Sequence, residues 1–110
     1  MKEIQIIQLR IFTELVGGLL TELEYWKLQE TLAAQPDFGD LIPGGKGLRK
    51  FRWAMKSRGI GKRGGIRVIY YWHRSPNAIY FVTLYPKSKK DNLTPAQLKA
   101  LADLVERELK

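Results

Sequence analysis

The stretch LRKFRWAM at residues 48–55 decides the fold of this 110-residue chain. Phe51 and Trp53 alternate in it with Lys50 and Arg52. A period of two is the pattern of a β-strand, because successive side chains of a strand point to opposite faces of the sheet. The stretch therefore predicts a strand over Leu48–Met55 with one apolar face and one cationic face.

A second strand is predicted by IRVIYYWH at residues 66–73, which is rich in β-branched and aromatic side chains. Its apolar face consists of Ile66, Val68, Tyr70 and Trp72, and Arg67 lies on the opposite face. The turn signal Ser75-Pro76-Asn77 then leads into a third strand, Ala78–Tyr85. The three segments predict an antiparallel meander.

The N-terminal third of the chain predicts a strand and a helix. Glu3–Phe12 alternates loosely and is expected to be the first strand, with a short helical turn at Thr13–Val16. Thr21 and Glu24 have the spacing of a capping box, which starts a helix that continues to about Ala34. Residues 35–47 are rich in glycine and proline and predict a loop.

The C-terminal segment predicts a second helix. Thr94 and Gln97 form another capping-box pattern, with Pro95 at the first helical position. The apolar positions that follow have helical spacing and are Leu98, Leu101, Ala102, Val105 and Leu109. The order of elements predicts a single α+β domain over residues 1–110, with an antiparallel sheet of about four strands and helices packed on one face.

The positive charge of the chain is concentrated in one segment. The net charge is +8, yet no acidic residue occurs between Asp40 and Asp91. Residues 41–90 hold 13 of the 19 lysines and arginines, whereas the remainder has 6 bases against 11 acids. A field of one sign raises the local concentration of polyanions, so the segment predicts a nucleic-acid surface. The alternative is a basic surface without a ligand, in which each side chain extends into solvent.

Several other classes of function lack their signals. The chain has no cysteine, which excludes disulfides and thiolate chemistry and fits a reducing cytoplasm. No apolar run approaches the ~20 residues of a membrane helix, and no signal-peptide pattern occurs. The basic segment offers His73 as its one histidine and no carboxylates, so we predict no metal site and no cofactor. His73, beside Arg74 at a strand end, is a candidate for acid–base chemistry, and the alternative is a turn residue without a chemical role.

Cationic side chains without a metal suit one reaction, which is the cleavage of RNA by its own 2′-hydroxyl. That hydroxyl lies beside the scissile phosphate, and DNA lacks it. The protein must then position the RNA and stabilise the charge that develops on the phosphorus.

The motifs at Gly47–Trp53 and Gly65–Trp72, with Pro86–Lys90 after the third strand, resemble toxins of the RelE/ParE superfamily, most closely the HigB/RelE branch. The resemblance implies a ribosome-dependent mRNA endonuclease of a type II toxin–antitoxin system that inhibits translation. It also implies neutralisation by an antitoxin, expected to be a HigA-like helix-turn-helix protein.

The resemblance also implies roles for individual residues. Lys50 and Arg52 are the first cationic pair, Arg67 is the transition-state arginine, and Lys87 or Lys89 is the downstream cation. The remaining predicted RNA contacts are Arg49, Lys56, Arg58, Lys62, Arg63 and Lys90. Two alternatives stay open at this point: a ParE-like inhibitor of DNA gyrase, which shares the fold, and an RNA-binding module without catalysis.

Overall fold

The computed structural model describes residues 3–53, 65–87 and 92–109. Its strands are β1 (Gln5–Gln8), β2 (Asp40–Leu41), β3 (Leu48–Trp53), β4 (Ile66–His73) and β5 (Ala78–Pro86), and its helices are α1 (Arg10–Leu19), α2 (Glu22–Ala34) and α3 (Pro95–Leu109). The strands form one sheet in the order β1-β5-β4-β3-β2. The predicted α+β class is confirmed, with a five-stranded sheet in place of about four strands.

The meander β3-β4-β5 is antiparallel, as predicted, whereas β1 joins it in parallel at the edge of β5. Parallel strands need a long crossover connection. In this chain, helices α1 and α2 and the strands β2 to β4 all lie between β1 and β5. The pairing is therefore far from local in sequence, and the alternation within β1 gives no sign of its partner.

The N-terminal elements differ from the prediction of a strand over Glu3–Phe12. The strand ends at Gln8, and α1 occupies the positions that follow. Leu9 is the residue before the helix, and its backbone N–H donates to the carbonyl of Phe81 at 2.9 Å. Phe12 is fully buried on the inner side of α1, where its ring stacks on that of Phe81 at 4.8 Å. Burial of this aromatic face outweighs the weak alternation of the segment.

Both predicted capping boxes are present. The Thr21 hydroxyl accepts from the Glu24 amide at 3.1 Å, and the Glu24 carboxylate accepts from the Thr21 amide at 2.7 Å. Thr94 and Gln97 make the same reciprocal pair at the start of α3, with distances of 3.1 and 3.0 Å. Each box satisfies two backbone donors that the first turn of a helix leaves unpaired.

The apolar core has two layers, one on each face of the sheet. Phe51, Val68 and Tyr70 belong to the layer under α1 and α2. The alternate positions Leu48 and Ile69 belong to the layer under α3. The prediction placed the helices on one face, and the structure places α3 on the other.

The reason lies in β4, whose two faces are both apolar over much of the strand. Ile69 alternates with Val68 and Tyr70, and all three are fully buried. A strand that is apolar on both faces has to be covered on both. α3 covers this second face with Leu101, Ala102 and Val105.

No helix among the residues that the structure describes is both long enough and apolar enough to cross a membrane.

Candidate nucleic-acid interface

Arg52, Arg67 and Tyr85 form a row across three strands, which we call the arginine row. In the antiparallel register, Arg52 lies directly opposite Arg67, and Arg67 lies directly opposite Tyr85. Residues opposite each other in a sheet point to the same face, with Cβ atoms roughly 4.5–5.5 Å apart. Arg52 is exposed, and Arg67 and Tyr85 are partly buried. Two arginines and a tyrosine are thus neighbours on the face that α3 covers elsewhere.

Lys50 lies next to the arginine row on the same face. It precedes Arg52 by two residues, a separation of about 7 Å along a strand. Its neighbours across the sheet are Ile69 on β4 and Asp40 on β2. The Lys50 ammonium donates to the side-chain oxygen of Asn92 at 3.3 Å, just before α3. Lys50 is therefore held between the sheet and the start of the helix, with one carboxylate at the sheet edge.

Lys87 lies at the end of β5, close to the same row. Its backbone N–H donates to the carbonyl of Gly65 at 3.1 Å, and Gly65 is two residues before Arg67. The side chain is partly buried. Of the five predicted catalytic residues, the structure brings Lys50, Arg52, Arg67 and Lys87 to one region. The fifth, Lys89, lies outside the described residues.

Arg49 is the one further predicted RNA contact within the described residues, and it lies away from the arginine row. Arg49 alternates with Lys50 and points to the opposite face, where its guanidinium donates to the carbonyl of Gly39 at 2.7 Å. It fastens the loop before β2 to the sheet. Five further predicted contacts, Lys56, Arg58, Lys62, Arg63 and Lys90, lie outside the described residues.

Tyr85 was not among the predicted site residues, because strict alternation places it on the wrong face. Counting by twos from Ile79 and Phe81 puts Tyr85 under α1 and α2. The register shifts between Ile69 and Tyr70, so that Ile69 faces Thr83 while Tyr70 faces Phe81. This bulge adds one residue to β5 and reverses the side on which Tyr85 emerges. Nothing in the sequence of this apolar strand indicates the shift in register.

His73 is distant from the arginine row although it shares the strand with Arg67. Six residues separate the two, which corresponds to about 20 Å along a strand. His73 packs near the rings of Tyr71 and Tyr80, each at 6.3 Å. Its Nδ1 atom is buried and makes no hydrogen bond within the described part of the chain. The one imidazole of the chain is therefore distant from Arg52 and Arg67.

Over residues 3–53, 65–87 and 92–109, no group of three histidine or carboxylate side chains is arranged to hold a metal ion. Among the described residues, the charged neighbours that the sheet register places beside the arginine row are Lys50, Lys87 and, on β2 opposite Lys50, Asp40. Opposed cations on neighbouring strands destabilise a sheet unless a counter-charge separates them. The arrangement therefore fits an anion that bridges the two arginines.

Comparison with known proteins establishes the fold. No protein-family model matches the chain. Among solved structures, it is similar to that of the toxin RelE from E. coli, a variant with two arginines replaced by alanine, in the free state. The TM-score is 0.57 at 12% sequence identity, and the match covers 94% of this chain and 95% of that chain. The chain thus has a RelE-like fold, which confirms the predicted fold class.

Proposed function

We propose that this protein is the toxin of a type II toxin–antitoxin system and that it cleaves mRNA on the ribosome, as a member of the HigB/RelE branch. The observation that carries the proposal is the direct opposition of Arg52 and Arg67 beside Tyr85. The likeness to a structure that is itself a toxin supports it. In this proposal the protein acts in the cytoplasm, where translation takes place.

The proposed reaction is an internal transfer at one phosphate of the RNA. The 2′-oxygen forms a bond to phosphorus, the bond from phosphorus to the 5′-oxygen breaks, and the products are a 2′,3′-cyclic phosphate and a free 5′-hydroxyl. One proton leaves the 2′-hydroxyl and another reaches the departing oxygen. The extra negative charge on the phosphorane is where positioned cations lower the barrier most.

The residues divide into three tasks in this proposal. Arg52 and Arg67 hold the non-bridging oxygens of the scissile phosphate, for which the planar guanidinium is well suited. Lys50 and Lys87 bind the flanking phosphates. Tyr85 brings a hydroxyl into the arginine row and is the group that we assign to proton transfer, a role that positioned tyrosines can take.

A protein with this activity must be neutralised in the cell that makes it. We propose an antitoxin of the helix-turn-helix type as its partner, with the ribosome and mRNA as its targets. The concentrated positive charge of residues 41–90 favours an acidic segment in that antitoxin.

The experiment that tests the function is induced expression followed by mapping of RNA 5′ ends and measurement of the DNA-damage response. We expect translation to stop with new 5′-hydroxyl ends inside messages, and Arg67→Ala to remove them. Arg10→Ala is the matched control, since Arg10 is an exposed arginine on α1. DNA damage without cut messages would favour the gyrase inhibitor, and growth arrest with neither would favour RNA binding alone.

A further inference from the structure

We propose that the cavity between the sheet and the start of α3 receives a nucleobase of the RNA whose phosphate lies on the arginine row. This inference rests on the proposed function and adds to it a site that selects the cleaved sequence.

The cavity has a volume of about 540 Å³ and is walled mainly by apolar side chains. Ile69 of β4 lines it from the sheet, and Leu93 and, in α3, Leu98 and Ala102 line it as well. Ile42 and Pro43 close it from the loop after β2. A flat ring with apolar faces can fill a space of this kind. A free phosphate would make no apolar contacts with the walls of the cavity.

The cavity adjoins the arginine row at Tyr85. Tyr85 belongs both to the row and to the cavity wall, and Lys50 belongs to the wall and to the neighbouring row. The step from one row to the next is about 7 Å along the strand. The phosphate of a nucleotide can therefore lie at Arg52 and Arg67 while the base of the same nucleotide enters the cavity.

The polar groups at the cavity fit the edge of a base and the charge of the RNA backbone. The Asn92 side-chain oxygen accepts from the Lys50 ammonium at 3.3 Å, and the NH₂ group of the same amide is a donor. Amide side chains are common readers of base edges. Lys46 and Lys99 also line the cavity, and Lys99 pairs with Asp103 at 3.0 Å on its outer side.

Enzymes that act on a nucleotide commonly draw its base out of the stack into a pocket, where it stacks on apolar side chains and is read by hydrogen bonds. Apolar walls, an amide and an adjoining pair of arginines satisfy these requirements together. In this proposal, α3 and Asn92 determine which base is preferred, and the arginine row carries out bond cleavage.

Binding can be tested without the ribosome. The full-length protein, labelled at Ile and Leu methyl groups, is titrated with the four nucleoside 5′-monophosphates and, separately, with inorganic phosphate. We expect at least one nucleotide to shift the methyl signals of Ile69 and Leu98, and phosphate alone to leave them unchanged. Equal shifts with phosphate, or no shift with any nucleotide, would overturn the proposal.

The second test fills the cavity with Leu98→Trp and removes the amide with Asn92→Ala. Both variants should weaken nucleotide binding about tenfold, as expected when one stacking or edge contact is lost. Both should also change which base adjoins the cut. Leu15→Trp on α1, an exposed position at 41%, is the control for the added indole. An unchanged base preference with either correctly folded variant would contradict the proposal.

The outcomes separate this proposal from the one on which it rests. If messages are cut but no nucleotide binds in the cavity, the proposed nuclease activity is supported and the proposed base pocket is contradicted. A nucleotide in the cavity together with no cut message in the cell would retain the pocket and remove the nuclease.

Discussion

Arg52 on β3 and Arg67 on β4 occupy directly opposite positions in the antiparallel register, and Tyr85 on β5 is the next residue in the same row. Like charges in opposite positions cost a sheet stability of a few tenths to about 1 kcal/mol. The next two rows of the same face, both within the described residues, do not repeat this pattern: Lys50 lies between Asp40 and Ile69, and Leu48 lies opposite Tyr71. The opposed pair lies where, in the proposed function, an RNA phosphate would bind both arginines.

Arg52→Glu should therefore separate stability from function. We expect the free energy of unfolding to rise by about 0.2–1 kcal/mol, because an opposite charge would then face Arg67. Growth arrest on induction should be lost at the same time. Urea denaturation measures the first effect and a growth assay the second, with Arg10→Ala as the control. Full toxicity of Arg52→Glu at equal protein level would show that the site lies elsewhere.

Neighbouring positions on β3 should respond in opposite ways to truncation. Phe51 is 8% exposed and packs edge-to-face on Tyr70 at 5.7 Å, so Phe51→Ala should cost about 3–5 kcal/mol of stability. Lys50→Ala removes a partly exposed cation and should change stability by less than about 0.5 kcal/mol while weakening toxicity. Thermal unfolding and growth assays distinguish the two. A similar loss of stability in both variants would contradict the assignment of faces.

The two faces of β3 and β4 could be predicted because the period of two is a local property of the sequence. The capping boxes at Thr21 and Thr94 could be predicted for the same reason, since each depends on residues three positions apart. Neither the partner of β1 nor the position of α3 is local. Both depend on which apolar surfaces remain uncovered after the meander has formed. The sequence shows where apolar surfaces lie, but not which of them pack against each other.

Tyr85 shows the limit for the candidate site. The cations could be predicted from a stretch of sequence without acidic residues. Tyr85 lies on the same face as the cations only because β5 has one extra residue, at the register shift next to Ile69. Such a bulge depends on how two strands fit the layers on either side, and neither strand encodes it alone. Arg49 was predicted as an RNA contact next to Lys50. Alternation places it on the other face of the sheet, where its guanidinium donates to the carbonyl of Gly39.

The hydroxyl of Tyr70 ties the loop before β2 to the sheet. It donates to the Pro36 carbonyl at 2.7 Å and accepts from the Gly39 amide at 2.9 Å. Tyr70→Phe leaves both groups without this partner and should cost about 1–3 kcal/mol. Chemical denaturation is the measurement. Tyr80→Phe is the control, because the Tyr80 hydroxyl makes no hydrogen bond with the residues that the structure describes.

The same side chain predicts a dependence of stability on alkaline pH. Burial raises the pKa of the Tyr70 phenol above its ordinary value of 10.0. The unfolded chain therefore loses this proton first as the pH rises. The associated stability is fully present below pH 10 and is lost as the pH rises through the pKa of the folded protein. Tyr70→Phe should flatten this part of the profile, and an unchanged slope would exclude Tyr70 as its source.

Blocking the 2′-hydroxyl at the cut site should abolish cleavage on a programmed ribosome. The chemistry proposed here takes its nucleophile from the RNA, so a 2′-deoxy or 2′-methoxy group removes the reaction and leaves the phosphate contacts. Ribosomes need Mg²⁺ to remain assembled, so chelation cannot replace this test. Primer extension across the message is the measurement, with a 2′-methoxy group three codons away as the control. Normal cutting of the blocked message would contradict the mechanism.

Coexpression with the product of the neighbouring gene should yield a complex that survives gel filtration at high salt. The cations at the arginine row would attract an acidic segment of the partner over a distance of about a Debye length, which makes association fast and salt-dependent. Buried apolar contacts would then set a slow rate of release. Failure to recover a complex, with no rescue of growth, would count against a toxin and favour an RNA-binding protein.

Association rates can also locate the surface that the antitoxin covers. If its acidic segment lies on the arginine row, Arg52→Glu should slow association and reduce its dependence on salt, because one attractive charge becomes repulsive. Trp26→Ser should have no such effect on the salt dependence, since Trp26 is an uncharged side chain on α2, 54% exposed, outside the basic segment. Stopped-flow measurements at two salt concentrations decide between them. Slower association in Trp26→Ser alone would place the partner on the helices, and the antitoxin would then act by obstructing access to the ribosome while the cations remain uncovered.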